Sequence, residues 1–236
     1  MKFSEYLKDN AYPGRGVAIG RSADGTKAIL CYFIMGRSTG SRNRVFEEDG
    51  AGIRTRAFDE SKLPDPSLYV YRAVRVIGDQ TVVTNGDQTD TIYDALAEGK
   101  TFEDALRTRT FEPDPPIWTP RISGVLTAAD GKMSYKLSIL KNGGDETPLR
   151  YFYEYEMPRA GEAHIIHTYA HDGDPVPSFS GEPVLIDTTS YHCANCVMRD
   201  LWEGLNADNK VSAFVRTVDL TTGETVTVIK NKHEEK

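Results

Sequence analysis

The sequence predicts a single α+β domain, residues 1–236, built mostly of antiparallel strands with two or three helices covering them. Three observations carry that expectation. Apolar runs of strand length recur along the chain, and several are paired across turn dipeptides such as Asp24-Gly25, Asp130-Gly131 and Thr222-Gly223. Helical periodicity interrupts them only in short stretches. No linker is long enough to split the chain into two units, and no internal repeat is present.

Taken in order, GVAIGRS and KAILCYFIM flank ADGTK and form the first expected hairpin. After the Arg-rich loop GRSTGSRNR, short strands are expected at GIRTRAF, LYVYRAVRVI and TVVTN. The period then changes. In DQTDTIYDALAEG, Asp87 or Thr89 can cap a helix whose apolar face holds Ile92 and Leu96 and which Gly99 ends. TFEDALRTR opens a second helix, with Thr101 and Asp104 in capping-box spacing. EPDPPIWTP is too rich in proline for regular structure and must be a loop. RISGVLTAADGKMSYKLSIL reads as a hairpin, followed by strands at LRYFYEYEM and AHIIHTYA. YHCANCVMRDLWEGLN is the best late helix, and VSAFVRTVDLTTGETVTVIKN closes the chain as a hairpin.

Composition restricts the partners. With 35 Asp+Glu against 28 Lys+Arg the net charge is −7, which argues against diffuse binding to nucleic acid or to an anionic membrane. Any phosphate should be small and locally held. The polar start MKFSEYLKDN does not resemble a secretory signal, and three cysteines fit a reducing cytoplasm better than a disulfide framework. The oligomeric state is left open, with a homo-oligomer among the options.

Three polar clusters could carry chemistry. In GRSTGSRNR, Arg37, Arg42 and Arg44 offer guanidinium forks while Ser38 and its neighbours add hydroxyls, yet no Walker lysine is present. The alternative is a solvated turn whose arginines pair with Glu47–Asp49. In NGDQTD, Asn85, Asp87 and Gln88 bring more polar groups than one helix cap needs, although a cap accounts for Asp87. In EPDPPIWTPRISG, Glu112 and Asp114 sit on a proline-stiffened loop ahead of Arg121. That arrangement suits a general acid or base, and equally a rigid crossing tied by a salt bridge. Two metal-like patterns are weaker. His164 and His167 would point to opposite faces of a strand, and Cys193 and Cys196 form a lone C-x-x-C in a helix, where packing is the simpler role.

In order along the chain, YPGRGVAIG, FIMGRSTGSRNRVF, VTNGDQTDTIYDAL, FEPDPPIWTPRISG, EAHIIHTYAHDGDPVPSFSGEP and DNKVSAFVR resemble the archaeal-type IMP cyclohydrolases and their bacterial relatives. The region around HCANC does not match, and no site is assigned there. The resemblance implies a four-layer αββα sandwich like that of N-terminal-nucleophile hydrolases, without their mechanism, because no Cys, Ser or Thr begins the sequence. It implies closure of 5-formamidoimidazole-4-carboxamide ribotide to IMP, with a small purine nucleotide as substrate and neither metal nor organic cofactor. On that reading Arg37, Arg42 and Arg44 with Ser38 and Asn43 would meet the phosphate and the oxyanion. Asn85, Asp87 and Gln88 would hold the carboxamide and base edges. Glu112 or Asp114 would be the acid/base group beside Arg121, with Tyr71 and His167 as further proton carriers. A non-catalytic nucleotide-binding module and an amidohydrolase of the same fold are the competing functions.

Overall fold

Thirteen strands in two sheets are present among the residues described by the computed structural model, 1–62 and 69–234. The first sheet contains β1 (Arg15–Arg21), β2 (Lys27–Met35), β10 (Glu162–His167), β11 (Val184–Asp187), β12 (Lys210–Asp219) and β13 (Thr225–Asn231), in the order β11-β10-β1-β2-β12-β13. The second runs β3-β4-β5-β6-β7-β8-β9 in chain order. Its strands are β3 (Arg44–Asp49), β4 (Gly52–Ala57), β5 (Arg72–Ile77), β6 (Gln80–Thr84), β7 (Arg121–Ala129), β8 (Lys132–Asn142) and β9 (Pro148–Tyr155). Neighbouring strands pair antiparallel throughout.

The period-two alternation sorts side chains into layers. Val17, Ile19, Leu30, Tyr32 and Ile34 of the first sheet meet Val83, Ile122, Leu126, Leu137 and Ile139 of the second in one central core. The intervening residues Ala18, Ile29, Cys31, Phe33 and Val215 face the other way. There they pack under α1 (Phe3–Leu7) and α5 (Ala194–Gly204). Helix α5 sends Ala194, Val197, Met198, Leu201 and Trp202 into this layer, the stripe expected of a helix with one buried face. On the far side of the second sheet, Val82, Val125 and Leu140 are covered by α3 (Gln88–Ala97) and α4 (Phe102–Arg107). Thr101 and Asp104 form the expected capping box at the start of α4.

Several local expectations need correction. The Arg-rich loop holds a short helix, α2 (Thr39–Arg42), and RVFEED continues as β3. Its acidic residues do not serve the loop: Glu47 pairs with Arg54 and Arg56, and Asp49 with Arg72. Asp87 stands at the N-cap of α3 but makes no side-chain cap bond, because two arginines take its carboxylate. Strand β5 begins at Arg72; the expected start at Leu68 lies outside the described residues. Helix α1 and strand β11 carry too few residues to show a period.

Candidate active site

One end of the space between the sheets collects polar groups. Here β1 starts at Arg15, β3 at Arg44 and β7 at Arg121, and β6 ends at Thr84. Gly14 sets the entry to β1: its φ is +79°, and a Cβ there would lie 2.2 Å from Thr168 Oγ1. Arg15 follows in the same alternation as Val17 and Ile19, so its guanidinium enters the inter-sheet space, where hydrocarbon would otherwise be expected.

Glu112 receives that guanidinium. Arg15 Nη2 lies 3.2 Å from both carboxylate oxygens, and Asn85 Nδ2 donates to Oε1 at 3.1 Å. Asn85 is fixed in turn: its Oδ1 accepts from Ile122 N at 2.8 Å and from Gln88 Nε2 at 2.9 Å. Gln88 Oε1 accepts from Arg121 Nη1 at 2.7 Å, and the same nitrogen reaches Asp87 at 2.6 Å. Arg109 closes the chain on the other Asp87 oxygen. A single network thus runs from Arg15 to Arg109, with the amides of Asn85 and Gln88 as couplers. Because both amides are committed at each end, their work is to hold Glu112 and Arg121 in place.

The loop carrying Glu112 is held independently. Glu112 N donates to Thr119 O at 2.9 Å, while Asp114 accepts from Thr119 N at 2.7 Å and from Thr119 Oγ1 at 2.5 Å. Once Thr119 Oγ1 has given its only proton to Asp114, it must accept from Tyr169 OH, 2.8 Å away. The Tyr169 oxygen is then an acceptor for Arg15 Nη1 at 3.5 Å. Asp114 is therefore linked to Arg15 through this relay, with one bond accepted on each carboxylate oxygen.

Burial lifts the Glu112 carboxyl above the ordinary carboxylate range, against the pull of Arg15 and Arg121. At Arg15 the same burial is the largest influence, but Glu112 and the phenols of Tyr169, Tyr71 and Tyr32 together outweigh it, so the guanidinium keeps its proton and titration of the pair falls on the carboxyl. Arg44 is different. It is 1% exposed, Nε donates to Ser41 O at 2.9 Å, and Nη1 is buried without a hydrogen-bond partner. Burial pushes its pKa down, and Arg15 adds to that, while the phenols of Tyr71, Tyr32 and Tyr12 act in the other direction. Tyr71 and Tyr32 join hydroxyls at 2.7 Å, which uses one of their two protons and leaves the second to donate.

The predicted residues separate into two groups. Glu112, Arg121, Asn85, Asp87, Gln88, Arg44 and Tyr71 lie in or against the cluster, and Asp114 is tied to it through Thr119. Arg37, Ser38, Arg42, Asn43 and His167 are engaged elsewhere. Arg37 is exposed, pairs with Asp172 at 2.5 Å and lies 4.7 Å from the centre of the Tyr12 ring, which stacks on Tyr169. Those two rings are its link to the cluster. Ser38 caps α2 by accepting from Ser41 N, and Arg42 bonds Gly36 O and Asn209. Asn43 is buried and clamps Asp59. His167 lies on the helix side of its sheet, in the register of Gly16. Its Nδ1 is 2.7 Å from Tyr169 O and its Nε2 is 2.7 Å from Tyr6 OH. Burial lowers its pKa to about 4. His164, three residues earlier, points to the central layer and meets Tyr135.

Sequence reasoning missed Arg15, Tyr32, Thr119 and Tyr169. Arg15 had a signal: a charged residue in the same alternation as Val17 and Ile19 must be buried, and so must have a partner. No group of three or more His, Cys, Asp or Glu side chains that could hold a metal ion occurs among the described residues, and no described helix is long and apolar enough to cross a membrane.

Comparison with known proteins assigns the chain to a family. A family described as IMP cyclohydrolase-like protein matches residues 12–224. The IMP cyclohydrolase of Methanopyrus kandleri is 29% identical over 189 residues, which cover 71% of this chain and 89% of that protein. The one from Methanosphaera stadtmanae is 30% identical over 68% of this chain and 75% of its own length. That of Methanothrix thermoacetophila is 30% identical over 72% and 80%. The match takes in the cluster from Arg15 to Arg121, and the chain belongs to the IMP cyclohydrolase-like protein family.

Proposed function

We propose that this protein closes 5-formamidoimidazole-4-carboxamide ribotide to IMP with loss of water. The observation that carries the reading is Arg44, a buried guanidinium with an unbonded terminal nitrogen and no ion-pair partner among the described residues, near a carboxyl whose proton affinity is raised. The names of the relatives support the same reaction.

The reaction needs one new bond and one leaving group. The carboxamide nitrogen attacks the formyl carbon and gives up a proton, for which Glu112 is the base. The formyl oxygen gathers charge and takes one proton from the Tyr71–Tyr32 pair to become a hydroxyl; Glu112 then returns the carboxamide proton to it, and it leaves as water while the formamide nitrogen forms the C=N bond and gives its proton back to the phenol. Both reacting groups sit on one ring, so orientation supplies much of the rate. Arg44 anchors the ribotide phosphate, with Arg37 over the Tyr12 ring and Ser38, Arg42 and Asn43 shaping the loop between them. Arg121, Asn85, Gln88 and Asp87 keep Glu112 placed, and Asp114 keeps its loop closed. His167, on the other side of the sheet, positions Tyr169 through its carbonyl.

Two sheets with helices on their outer faces support a four-layer αββα sandwich of the N-terminal-nucleophile-hydrolase type. Three free thiols, Cys31, Cys193 and Cys196, support a cytoplasmic setting. The test is a spectrophotometric assay of ring closure with the formylated ribotide. Turnover that falls in Glu112→Gln is expected; a protein that binds IMP and closes no ring would be a nucleotide-binding module, and the proposal would fail.

A further inference from the structure

At the opposite end of the inter-sheet space lies a second polar cleft, of about 450 Å³. Along β7 it is bordered by Ala128, seven residues beyond Arg121, so roughly 23 Å of strand separates it from the site described above. Its base holds Arg216 of β12, which pairs with Leu30 of β2 and Thr227 of β13 and is 6% exposed. Arg216 Nε donates to Thr227 Oγ1 at 3.1 Å. Its two terminal nitrogens have no hydrogen-bond or ion-pair partner among the described residues, and burial lowers its pKa. Glu48 is the carboxylate that acts on it through space, but the two do not join in an ion pair. Glu48 and Asp79 are both exposed and border the cleft, while Val76 and Val218 give it apolar walls. The mouth is framed by three hairpin turns, each with a glycine at positive φ: Gly50 (+59°), Gly78 (+57°) and Gly223 (+72°). No atom lies within 4 Å of where a Cβ would stand on any of them, so the entrance is open.

Two carboxylates at the rim repel a phosphate dianion at the entrance, while the guanidinium at the base, set 5.4 Å from the centre of the Phe214 ring, keeps its terminal nitrogens open to the cleft. A ligand with opposite charges in complementary order meets both demands. We propose that this cleft is a binding site for a small zwitterion of the amino-acid class, its carboxylate on Arg216, its ammonium on Glu48 and Asp79, and its aliphatic part against Val76 and Val218. A bidentate guanidinium–carboxylate contact is the strongest single element of such a site.

The probe is L-valine, titrated into the full chain and followed by amide chemical shifts, with acetate and inorganic phosphate as controls. L-Valine is expected to move resonances in the turns around Gly50, Gly78 and Gly223 saturably, with acetate and phosphate at least tenfold weaker. Glu48→Gln and Asp79→Asn, both at exposed positions, should each weaken it several-fold without moving the melting temperature. Arg216→Gln should weaken it about tenfold or more, the loss expected for a charge-assisted hydrogen bond. Arg216→Lys, which keeps the charge and loses the fork, should fall between. No saturable shift with L-valine would overturn the proposal, as would binding unchanged in Arg216→Gln. Acetate or phosphate binding as tightly as L-valine would overturn the zwitterion and leave a plain anion site.

Discussion

Glu112 is the residue whose replacement separates folding from chemistry. The carboxylate is 5% exposed and accepts from Arg15 twice and from Asn85 once. In Glu112→Gln the charge is lost and an amide NH2 group faces one of those donors, so Arg15 becomes a buried cation without its countercharge. Breaking a buried pair in this way costs about 3–5 kcal/mol. Asn85 suffers less, because its Nδ2 also donates to Pro120 O at 3.0 Å. The double variant Arg15→Met/Glu112→Leu removes both charges together and should recover most of the stability, since apolar replacement of a buried pair is often near neutral. Turnover should behave otherwise. With the base gone, both variants should lose about 10²–10⁴-fold in ring closure, the usual contribution of a positioned acid or base. Urea unfolding followed by circular dichroism gives the first quantity, and the ribotide assay the second. Glu112→Gln with turnover within threefold of wild type would refute the catalytic role. A double variant as unstable as Glu112→Gln would refute the account of the pair.

Arg44→Met should leave the ligand-free protein as stable as wild type or about 1–3 kcal/mol more so, because it deletes a buried charge with no ion-pair partner among the described residues, at the cost of one bond to Ser41 O. The same variant should weaken IMP binding roughly 10–100-fold by calorimetry, the loss of a charge-assisted contact. Asp114→Asn should cost about 1–2 kcal/mol through its two Thr119 bonds and lower turnover without displacing the pH profile, as befits a group that holds a loop. His167 has its pKa lowered from 6.5 to about 4, so the unfolded chain binds more protons between those values and stability is lost as pH falls through that window. The loss amounts to about 3 kcal/mol by the linkage relation. Unfolding of His167→Gln between pH 7 and 4 should lack that component, while its rate profile for ring closure should keep the wild-type shape.

Much of the fold could be read in advance because burial in sheets leaves a periodic trace. KAILCYFIM and RISGVLTAADGKMSYKLSIL announce strands and their turn, and Ala194 to Trp202 repeats at helical spacing. What escaped was set by partners far along the chain. RVFEED becomes a strand because GIRTRA pairs with it, and its charges find Arg54, Arg56 and Arg72 across the sheet instead of the loop before it. The site divides in the same way. Asn85, Gln88, Glu112 and Arg121 stood out as dense polar groups next to turns and prolines. Arg15 lay within an apolar strand, and Tyr169 beside a histidine pattern that drew attention to metal. In GRSTGSRNR the three arginines look equivalent as sequence, yet they part where β3 begins: Arg37 and Arg42 stay exposed and only Arg44 turns inward.

That division has a consequence for how binding and chemistry are coupled. Arg15 faces Glu112 and Arg121 shares Asp87 with Arg109, whereas Arg44 has no ion-pair partner among the described residues. Arg44 also acts on Glu112, and in the free protein it holds the carboxyl pKa down, together with Arg15 and Arg121. On the proposed placement, a phosphate arriving at Arg44 would cancel that influence and bring negative charge of its own into a region of low dielectric. Both effects raise the proton affinity of Glu112. The carboxyl is therefore a weaker base in the empty site, where a strong one would be neutralised by solvent protons, and a stronger one once the ribotide is seated. On the proposed placement, the phosphate, far from the reacting ring carbons, would contribute to the chemical step through Arg44. A formyl-imidazole carboxamide lacking its phosphate would lose turnover as well as affinity.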